Sequence, residues 1–145
     1  MKIENVTVSA IVYSTEDPEK VAHALSTLFP FEFEILASNV TGHYGNPMKF
    51  LEVELKKKRE IREFWNHLME ELGDQRNVLL EFVEDLVDED GVLHIRVDKQ
   101  SAYLGKVELS FGGDSIAIRA KLVTFPSKRE KILEFARKII AEGYD

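Results

Sequence analysis

Two polar segments of the chain carry side chains that could bind a ligand. The first is Gly42-His43-Tyr44-Gly45-Asn46-Pro47, which presents an imidazole, a phenol and an amide around two glycines. Glycines let a ligand approach backbone amides closely, while a histidine or tyrosine ring can stack on it or form hydrogen bonds. A turn whose glycines only satisfy backbone geometry, with Tyr44 covering the core, explains the same residues equally well.

The second segment is Asp98-Lys99-Gln100-Ser101-Ala102-Tyr103-Leu104-Gly105. Here Lys99 offers a phosphate contact, Gln100 could read base edges and Tyr103 could stack on a base. The alternative is a packed connector that leaves Lys99 in water, because apolar residues in a connection usually contribute to packing.

Basic side chains form a third candidate surface. Residues 56–62 hold five basic residues and one acidic residue where a predicted strand gives way to a helix. Cations at a helix N-terminus oppose the helix dipole, which suggests a use other than helix stability. Arg119 and Lys121 alternate with apolar residues and therefore share one face of a predicted strand. Three more basic residues open the last predicted helix: Lys128, Arg129 and Lys131.

Patterns for catalysis or metal binding are missing from the sequence. The four histidines lack the i, i+4 spacing of a metal-binding helix, and there is no cysteine to act as nucleophile or zinc ligand. The acidic residues at 85–90 do not follow calcium-loop spacing, and Gly112-Gly113-Asp114 lacks the lysine and helix of a phosphate loop. A hydrolase that pairs His43 with Asp98 is the least favoured alternative, so we expect no enzyme, cofactor or metal site.

Hydrophobic periodicity predicts the order β-α-β-β-α-α-β-β-β-α. The predicted strands cover residues 3–13, 33–37, 48–55, 92–97, 107–111 and 115–123, and the predicted helices cover 58–72 and 74–87 and begin near Pro18 and Pro126. Residues 38–47 are predicted to form a loop, because they contain two glycines, two asparagines and a proline. Strands and helices do not alternate strictly. We therefore expect an α+β fold with a mixed, largely antiparallel sheet of five to six strands and helices on one face.

Size and composition indicate one domain over residues 1–145. The chain is 44% hydrophobic and 31% charged, and it has no recognisable signal peptide and no apolar run that could span a membrane. We expect a cytoplasmic protein, and the scarcity of glutamine and cysteine suggests a thermophile. A net charge of −7 argues against binding RNA by bulk charge. The acidity is uneven, since residues 70–90 hold nine acidic residues and one basic residue.

The segment Ser14 to Val21 after the opening strand, together with the two polar segments, resembles small archaeal proteins described as predicted exosome-subunit RNA-binding proteins. The resemblance spans nearly the whole chain, and its specific parts are the patterns GHxGNP and DKQxAYxG. It implies a fold like that of the ribosomal protein that binds five-S RNA. It also implies a role for the matching positions Gly42, His43, Gly45, Asn46, Asp98, Lys99, Gln100 and Tyr103.

We therefore expect a non-catalytic RNA-binding or RNA-associated protein, connected with the exosome or with ribosome-related RNA processing. The alternative is an assembly subunit whose acidic surface meets a basic partner in an RNA-processing complex or a ribosomal protein, and a homodimer stays open. The expected RNA contacts are Gly42, His43, Tyr44, Gly45, Asn46, Lys57, Lys58, Arg59, Arg62, Lys99, Gln100, Tyr103, Arg119 and Lys121. Strong RNA binding requires that these residues converge on one face.

Overall fold

Five strands form one antiparallel sheet. The computed structural model describes residues 1–42 and 44–145. The strands are β1 Lys2–Val12, β2 Leu36–Thr41, β3 Pro47–Leu55, β4 Val92–Asp98 and β5 Ser115–Val123. They lie in the order β2-β3-β1-β5-β4, and each neighbouring pair is antiparallel. The helices are α1 Pro18–Ser26, α2 Lys58–Leu72, α3 Arg76–Glu81, α4 Val83–Leu86, α5 Lys99–Tyr103 and α6 Arg129–Glu142. The expected α+β class and element order are confirmed.

The buried core lies between one face of the sheet and the helices. Alternate residues of the central strands are buried, as Val6 and Val8 of β1 show. The helices oppose them with apolar stripes at helical spacing, and Phe64 and Trp65 of α2 are fully buried. The indole N–H of Trp65 donates to the carbonyl of Ile139 at 2.9 Å, which ties α2 to α6. The opposite face of the sheet carries the other residues of the alternation, both polar ones such as Thr7 and Arg119 and apolar ones such as Ile11 and Phe50.

Half of the predicted loop over residues 38–47 is strand. Strand β2 continues to Thr41 and β3 begins at Pro47, so only residues 42–46 connect them. Ser38 pairs with Phe50, and Asn39 pairs with Lys49. Serine and asparagine favour turns locally, but the cross-strand hydrogen bonds to β3 outweigh that preference. The prediction of a ten-residue loop is therefore wrong.

Two other segments are less regular than predicted. The helix expected over residues 74–87 is divided into a 3-10 turn at Gly73–Gln75, then α3 and α4, with non-helical backbone angles at Phe82 (φ −105°, ψ 14°). Residues 107–111 make one bridge, between Leu109 and Val97, instead of a full strand. They run along the outer edge of β4, where the Asp98 amide donates to the Glu108 carbonyl at 2.8 Å.

Candidate nucleic-acid interface

The face of the sheet opposite the helices carries a shallow trough. Register fixes which side chains share this face: Ile11 pairs with Phe50, and Arg119 pairs with Thr7 on one side and His94 on the other. We call this surface the open face. The trough has a volume of about 350 Å³, and its lining includes Ser9, Ile11, Phe50, His94, Arg96, Ser115, Ala117 and Arg119.

Apolar and cationic side chains meet in this trough. Phe50 and Ile11 are half-buried, whereas Arg96 and Arg119 are exposed. An aromatic ring and a guanidinium plane both accept a stacked base, and guanidinium groups bind phosphate through charge-assisted hydrogen bonds. The trough can therefore hold a flat ring beside an anionic group.

Both arginines of the open face keep donors for an anion. Arg96 Nη1 donates to Ser115 Oγ at 3.2 Å, and Arg119 Nη2 lies 3.8 Å from Glu52 Oε2. Each guanidinium has five N–H donors, so these single contacts leave most of its capacity unused. The Glu52 carboxylate is the nearest competitor for a phosphate, because it already attracts Arg119.

Acidic groups bound the open face beside β4 and β5. His94 Nε2 lies 2.8 Å from Asp88 Oδ2. The hydrogen bond from His94, together with that from the Val92 amide, lowers the pKa of Asp88 below its ordinary value of 3.8. Lys121, an expected RNA contact on the same face, donates its ammonium to the Asp90 carbonyl. Lys121 is thus partly engaged by the protein itself.

The first polar segment forms the tip of the β2–β3 hairpin. The Gly42 amide donates to the Asn46 carbonyl at 2.7 Å, and the Gly45 amide donates to the Gly42 carbonyl at 2.9 Å. Gly45 has φ of 78°, a conformation that favours glycine. Tyr44 is 86% exposed, so it does not cover the core. His43 lies outside the described residues, and its expected contact with RNA stays a prediction.

Lys99 of the second segment is buried, with only 6% of its side chain exposed. Its ammonium lies 2.8 Å from Glu16 Oε1 and 2.8 Å from Asp114 Oδ2, and it donates to the Ile11 carbonyl at 2.8 Å. These three acceptors use the three ammonium protons. Lys99 is therefore engaged within the fold, and we leave it out of the proposed RNA contacts.

The neighbours of Lys99 have different roles. Asp98 caps α5, because its carboxylate accepts from the Ser101 amide at 2.8 Å. Gln100 is exposed, whereas Tyr103 is half-buried with its ring centroid 5.5 Å from that of His23. Only Gln100 of this segment presents a side chain openly to solvent at the position expected for an RNA contact.

The expected contacts lie in three places: Arg119 and Lys121 on the open face, the two polar segments at one end of the sheet, and the basic run at the other end. Val12 pairs with Lys49 near the hairpin tip, and Val6 pairs with Leu55 just before the basic run. Six residues of strand separate these pairs, which corresponds to about 20 Å. The two polar segments thus share one end of the sheet, and the basic run lies at the other end, at the start of α2. The basic run comprises Lys57, Lys58 and Arg59, which are exposed, and Arg62, which is half-buried.

Sequence reasoning missed four residues of the trough. Ile11, Phe50, His94 and Arg96 each lie on strands whose other face is buried. The period-2 alternation of β4, with Leu93, Ile95 and Val97 inward, is a sequence signal that would have placed His94 and Arg96 beside Arg119 once the β4–β5 pairing is known. The same alternation in β3, with Leu51, Val53 and Leu55 inward, would have placed Phe50 on the outward face.

Within residues 1–42 and 44–145, no group of three or more potential ligands could hold a metal ion. No helix in the described part of the chain is long and apolar enough to cross a membrane.

Known proteins similar to this chain point to RNA. A family model described as RNA binding matches residues 5–122. A curated relative, the RNA-binding protein PAB1135 of Pyrococcus abyssi, is 40% identical over 153 aligned positions, which cover 100% of this chain and 97% of the relative.

Solved structures share the fold over nearly the full length. Protein AF2318 from Archaeglobus fulgidus superposes with a TM-score of 0.91 at 62% identity, covering 95% of this chain and 99% of the other. Mth689 from Methanothermobacter thermautotrophicus, described as a DUF54 protein, gives a TM-score of 0.79 at 36% identity, covering 95% and 98%.

Proposed function

Because this chain belongs to the RNA-binding family, we propose that it binds single-stranded RNA on the open face of its sheet. The observation that carries the proposal is the trough itself, whose lining includes Phe50 on β3 and the exposed Arg96 and Arg119 on β4 and β5. Single strands expose base faces that can stack on an aromatic ring, whereas the bases of a duplex are stacked on each other.

The charge of the protein also favours a single strand. Gripping a duplex through phosphates alone requires many cations, and the described strands of the open face offer few: Arg96, Arg119, the partly engaged Lys121 and, opposite Val123 at the start of β1, Lys2. Stacking adds about 1–3 kcal/mol per base and does not depend on net charge. RNA binding by a chain of net charge −7 is therefore best explained by stacking assisted by a few arginines.

The hairpin tip extends the proposed site. Met48 and Phe50 alternate onto the open face of β3, and this strand leads back to the tip at Gly42–Asn46. A strand of RNA lying along β3 would pass from Phe50 to Tyr44, while Gln100 lies at the same end of the sheet. The basic run of α2 would touch RNA only where the strand continues past the opposite end of the sheet.

We place this activity in the exosome or in ribosome-related RNA processing, as the sequence resemblance implies, and we propose that the protein acts without catalysis. It would then serve as a binding subunit that holds RNA for other components. The name of the Pyrococcus abyssi relative supports the RNA-binding part of this proposal.

The test is filter binding of a labelled oligouridine and of an RNA duplex to the wild type and to the double variant Arg96→Gln/Arg119→Gln. Exposed Arg59 on α2 provides the control Arg59→Gln. We expect the double variant to lose roughly tenfold or more in affinity for the single strand, by the usual worth of charge-assisted hydrogen bonds. The slope of log K against log salt should also become shallower, by about 1.4 for two lost phosphate contacts.

Three results would contradict the open-face site. They are absence of binding at low salt, tighter binding of the duplex than of the single strand, and an equal loss in Arg59→Gln and in the double variant. Phe50→Leu separates stacking from charge, because it keeps apolar bulk and should weaken binding without changing the salt slope.

A second candidate is an assembly role at the acidic surface of residues 70–90. Phe82 and Phe111 are 42% and 66% exposed, and their ring centroids lie 6.2 Å apart beside exposed Glu81 and Glu84. Exposed aromatic residues rimmed by acids suit a basic protein partner. Partners captured from cell extract that survive RNase treatment and are lost with Phe82→Ser would favour this role over RNA binding.

A further inference from the structure

The fold treats the two edges of its sheet differently. The outer edge of β4 is covered by residues 108–110, where the Asp98 amide donates to the Glu108 carbonyl and the Ser110 amide to the Arg96 carbonyl. At the other edge β2 has β3 as its one neighbour in the described part of the chain. All six residues of β2 are exposed. An unpaired strand edge is a template for another strand.

The composition of β2 does nothing to prevent such pairing. Its sequence, Leu-Ala-Ser-Asn-Val-Thr, has no charged residue and no proline, in a chain that is 31% charged. Proteins usually protect exposed edges with lysine, proline, a bulge or a covering segment. Leu36 and Val40 lie on the same face of the strand and are 61% and 37% exposed.

Hydrogen bonding in the hairpin shows which backbone groups of β2 point outward. The Gly42 amide donates to the Asn46 carbonyl, so residues 42 and 46 form a hydrogen-bonded pair at the end of the β2–β3 ladder. Hydrogen-bonded pairs alternate with non-hydrogen-bonded pairs along an antiparallel ladder. The backbone N–H and C=O groups of Leu36, Ser38 and Val40 are therefore the ones directed at β3. The N–H and C=O groups of Ala37 and Asn39 therefore face away from the sheet.

We propose that β2 pairs with β2 of a second copy of this chain, antiparallel, about a two-fold axis at Ser38. In this register the side chains that share a face in one copy share it with the same side chains of the other copy. Leu36 then lies opposite Val40 of the other copy, so that these apolar side chains cover each other. It also pairs the outward groups of Ala37 with those of Asn39.

Charge and closure favour a second copy as the occupant. Two molecules of net charge −7 repel each other, and an uncharged strand is a place where they can meet with little repulsion. A two-fold contact uses the uncovered β2 edge of both copies. The β4 edges of the dimer are covered by residues 108–110, so strand pairing cannot extend the dimer into a longer assembly.

The dimer does not depend on RNA binding, but it has a consequence for it. A two-fold axis perpendicular to the sheet reverses strand direction and keeps both open faces on the same side. The two sheets of five strands would form one continuous surface of ten. RNA bound by one copy could then continue onto the other.

Cysteine cross-linking tests the register directly. The chain has no cysteine, so Ser38→Cys can form a disulfide only with another molecule. In the proposed dimer the two Ser38 positions face each other as a non-hydrogen-bonded pair, with Cβ atoms about 4.5–5.5 Å apart before adjustment. Mild oxidation should give a covalent dimer of Ser38→Cys much faster than of the control Ser127→Cys, which is exposed far from β2 in the sequence. Equal rates for the two variants would overturn the proposal.

Sedimentation measures the assembly without modification. The wild type should have twice the 16.6 kDa of one chain, with no larger species. Asn39→Pro removes an outward N–H without touching the β3 ladder, and Val40→Lys puts a charge at the contact, so each should give monomers with unchanged circular dichroism. A wild type that is monomeric at the highest attainable concentration, a dimer that persists in both variants, or a larger assembly would refute the β2 dimer. None of these outcomes would bear on RNA binding by the open face.

Discussion

Lys99 joins segments that lie far apart in the sequence. Its ammonium contacts Glu16 before α1, Asp114 before β5 and the Ile11 carbonyl at the end of β1. It also lies 5.2 Å from the centroid of the Tyr13 ring. Deleting one member of a largely buried ion pair destabilises the protein, because the charge that remains is still desolvated but no longer has a partner.

We predict that Lys99→Met lowers the free energy of unfolding and leaves the salt dependence of RNA binding unchanged. Glu16 and Asp114 are partly exposed, so the loss should be about 2 kcal/mol, below the range for fully buried pairs. Urea unfolding measures it, with the exposed Lys106→Met as the control. A shallower salt slope in Lys99→Met would instead show that Lys99 leaves its partners and contacts phosphate.

The pH dependence of stability should report the Glu16–Lys99 contact. Burial raises the pKa of the Glu16 carboxyl. The hydrogen bonds from Lys99 and the Tyr13 amide, together with the charge of Lys99, lower this pKa by a larger amount, so the net pKa lies below the ordinary 4.5. A carboxylate whose pKa is lower in the folded state stabilises the protein fully above its unfolded pKa and loses that effect as pH falls through the folded value.

We therefore expect the stability difference between wild type and Glu16→Gln to be constant at neutral and mildly acidic pH and to shrink as pH falls below about 4.5. Urea unfolding across this range measures the difference. A difference that stays the same down to the lowest pH would mean that the contact is not maintained by the ionised carboxylate.

At the scale of elements, the β2–β3 hairpin depends on one backbone conformation. Gly45 has φ of 78°, and the space that a methyl group would occupy there is open, so a side chain would be strained by the backbone angles alone. Gly112 also has open space, but its φ is outside the positive region. The two glycines form a matched pair that differs only in the requirement for positive φ.

We predict that Gly45→Ala lowers stability by about 1–2 kcal/mol, the cost of a left-handed conformation for an L-residue. Gly112→Ala should be neutral or slightly stabilising, because it restricts the unfolded chain without native strain. Thermal unfolding of both variants measures the contrast. Equal effects would show that the hairpin tip relaxes to another turn.

At the scale of the whole molecule, charge is divided between surfaces. The open face carries Arg96 and Arg119 together with Glu52 and Glu54, while nine further acidic residues lie in the segment 70–90. Part of that acidity is balanced from α6, where Arg129 donates to the Glu84 carbonyl at 2.7 Å and Arg137 lies 3.5 Å from the Glu84 carboxylate. A protein of net negative charge can thus present one face to an anion. The electrostatic attraction between this protein and RNA should be weak and should come from that face.

The sequence alone determined the local elements with strong periodicity and clear ends. The apolar stripe of α2 and its stop at Gly73, the Asp17–Pro18 start of α1 and the α+β class follow from patterns that act over a few residues. These signals are local, because a helix satisfies its backbone hydrogen bonds within its own turns.

Only the tertiary structure decided what depends on partners distant in the sequence. It turned the predicted loop at 38–41 into a strand, buried Lys99 between Glu16 and Asp114, and divided the expected RNA contacts among three places. It also brought Phe50, from β3, to the same face as Arg119, from β5. The reason is physical: strand register and ion pairing are settled by groups that meet only after the chain has folded.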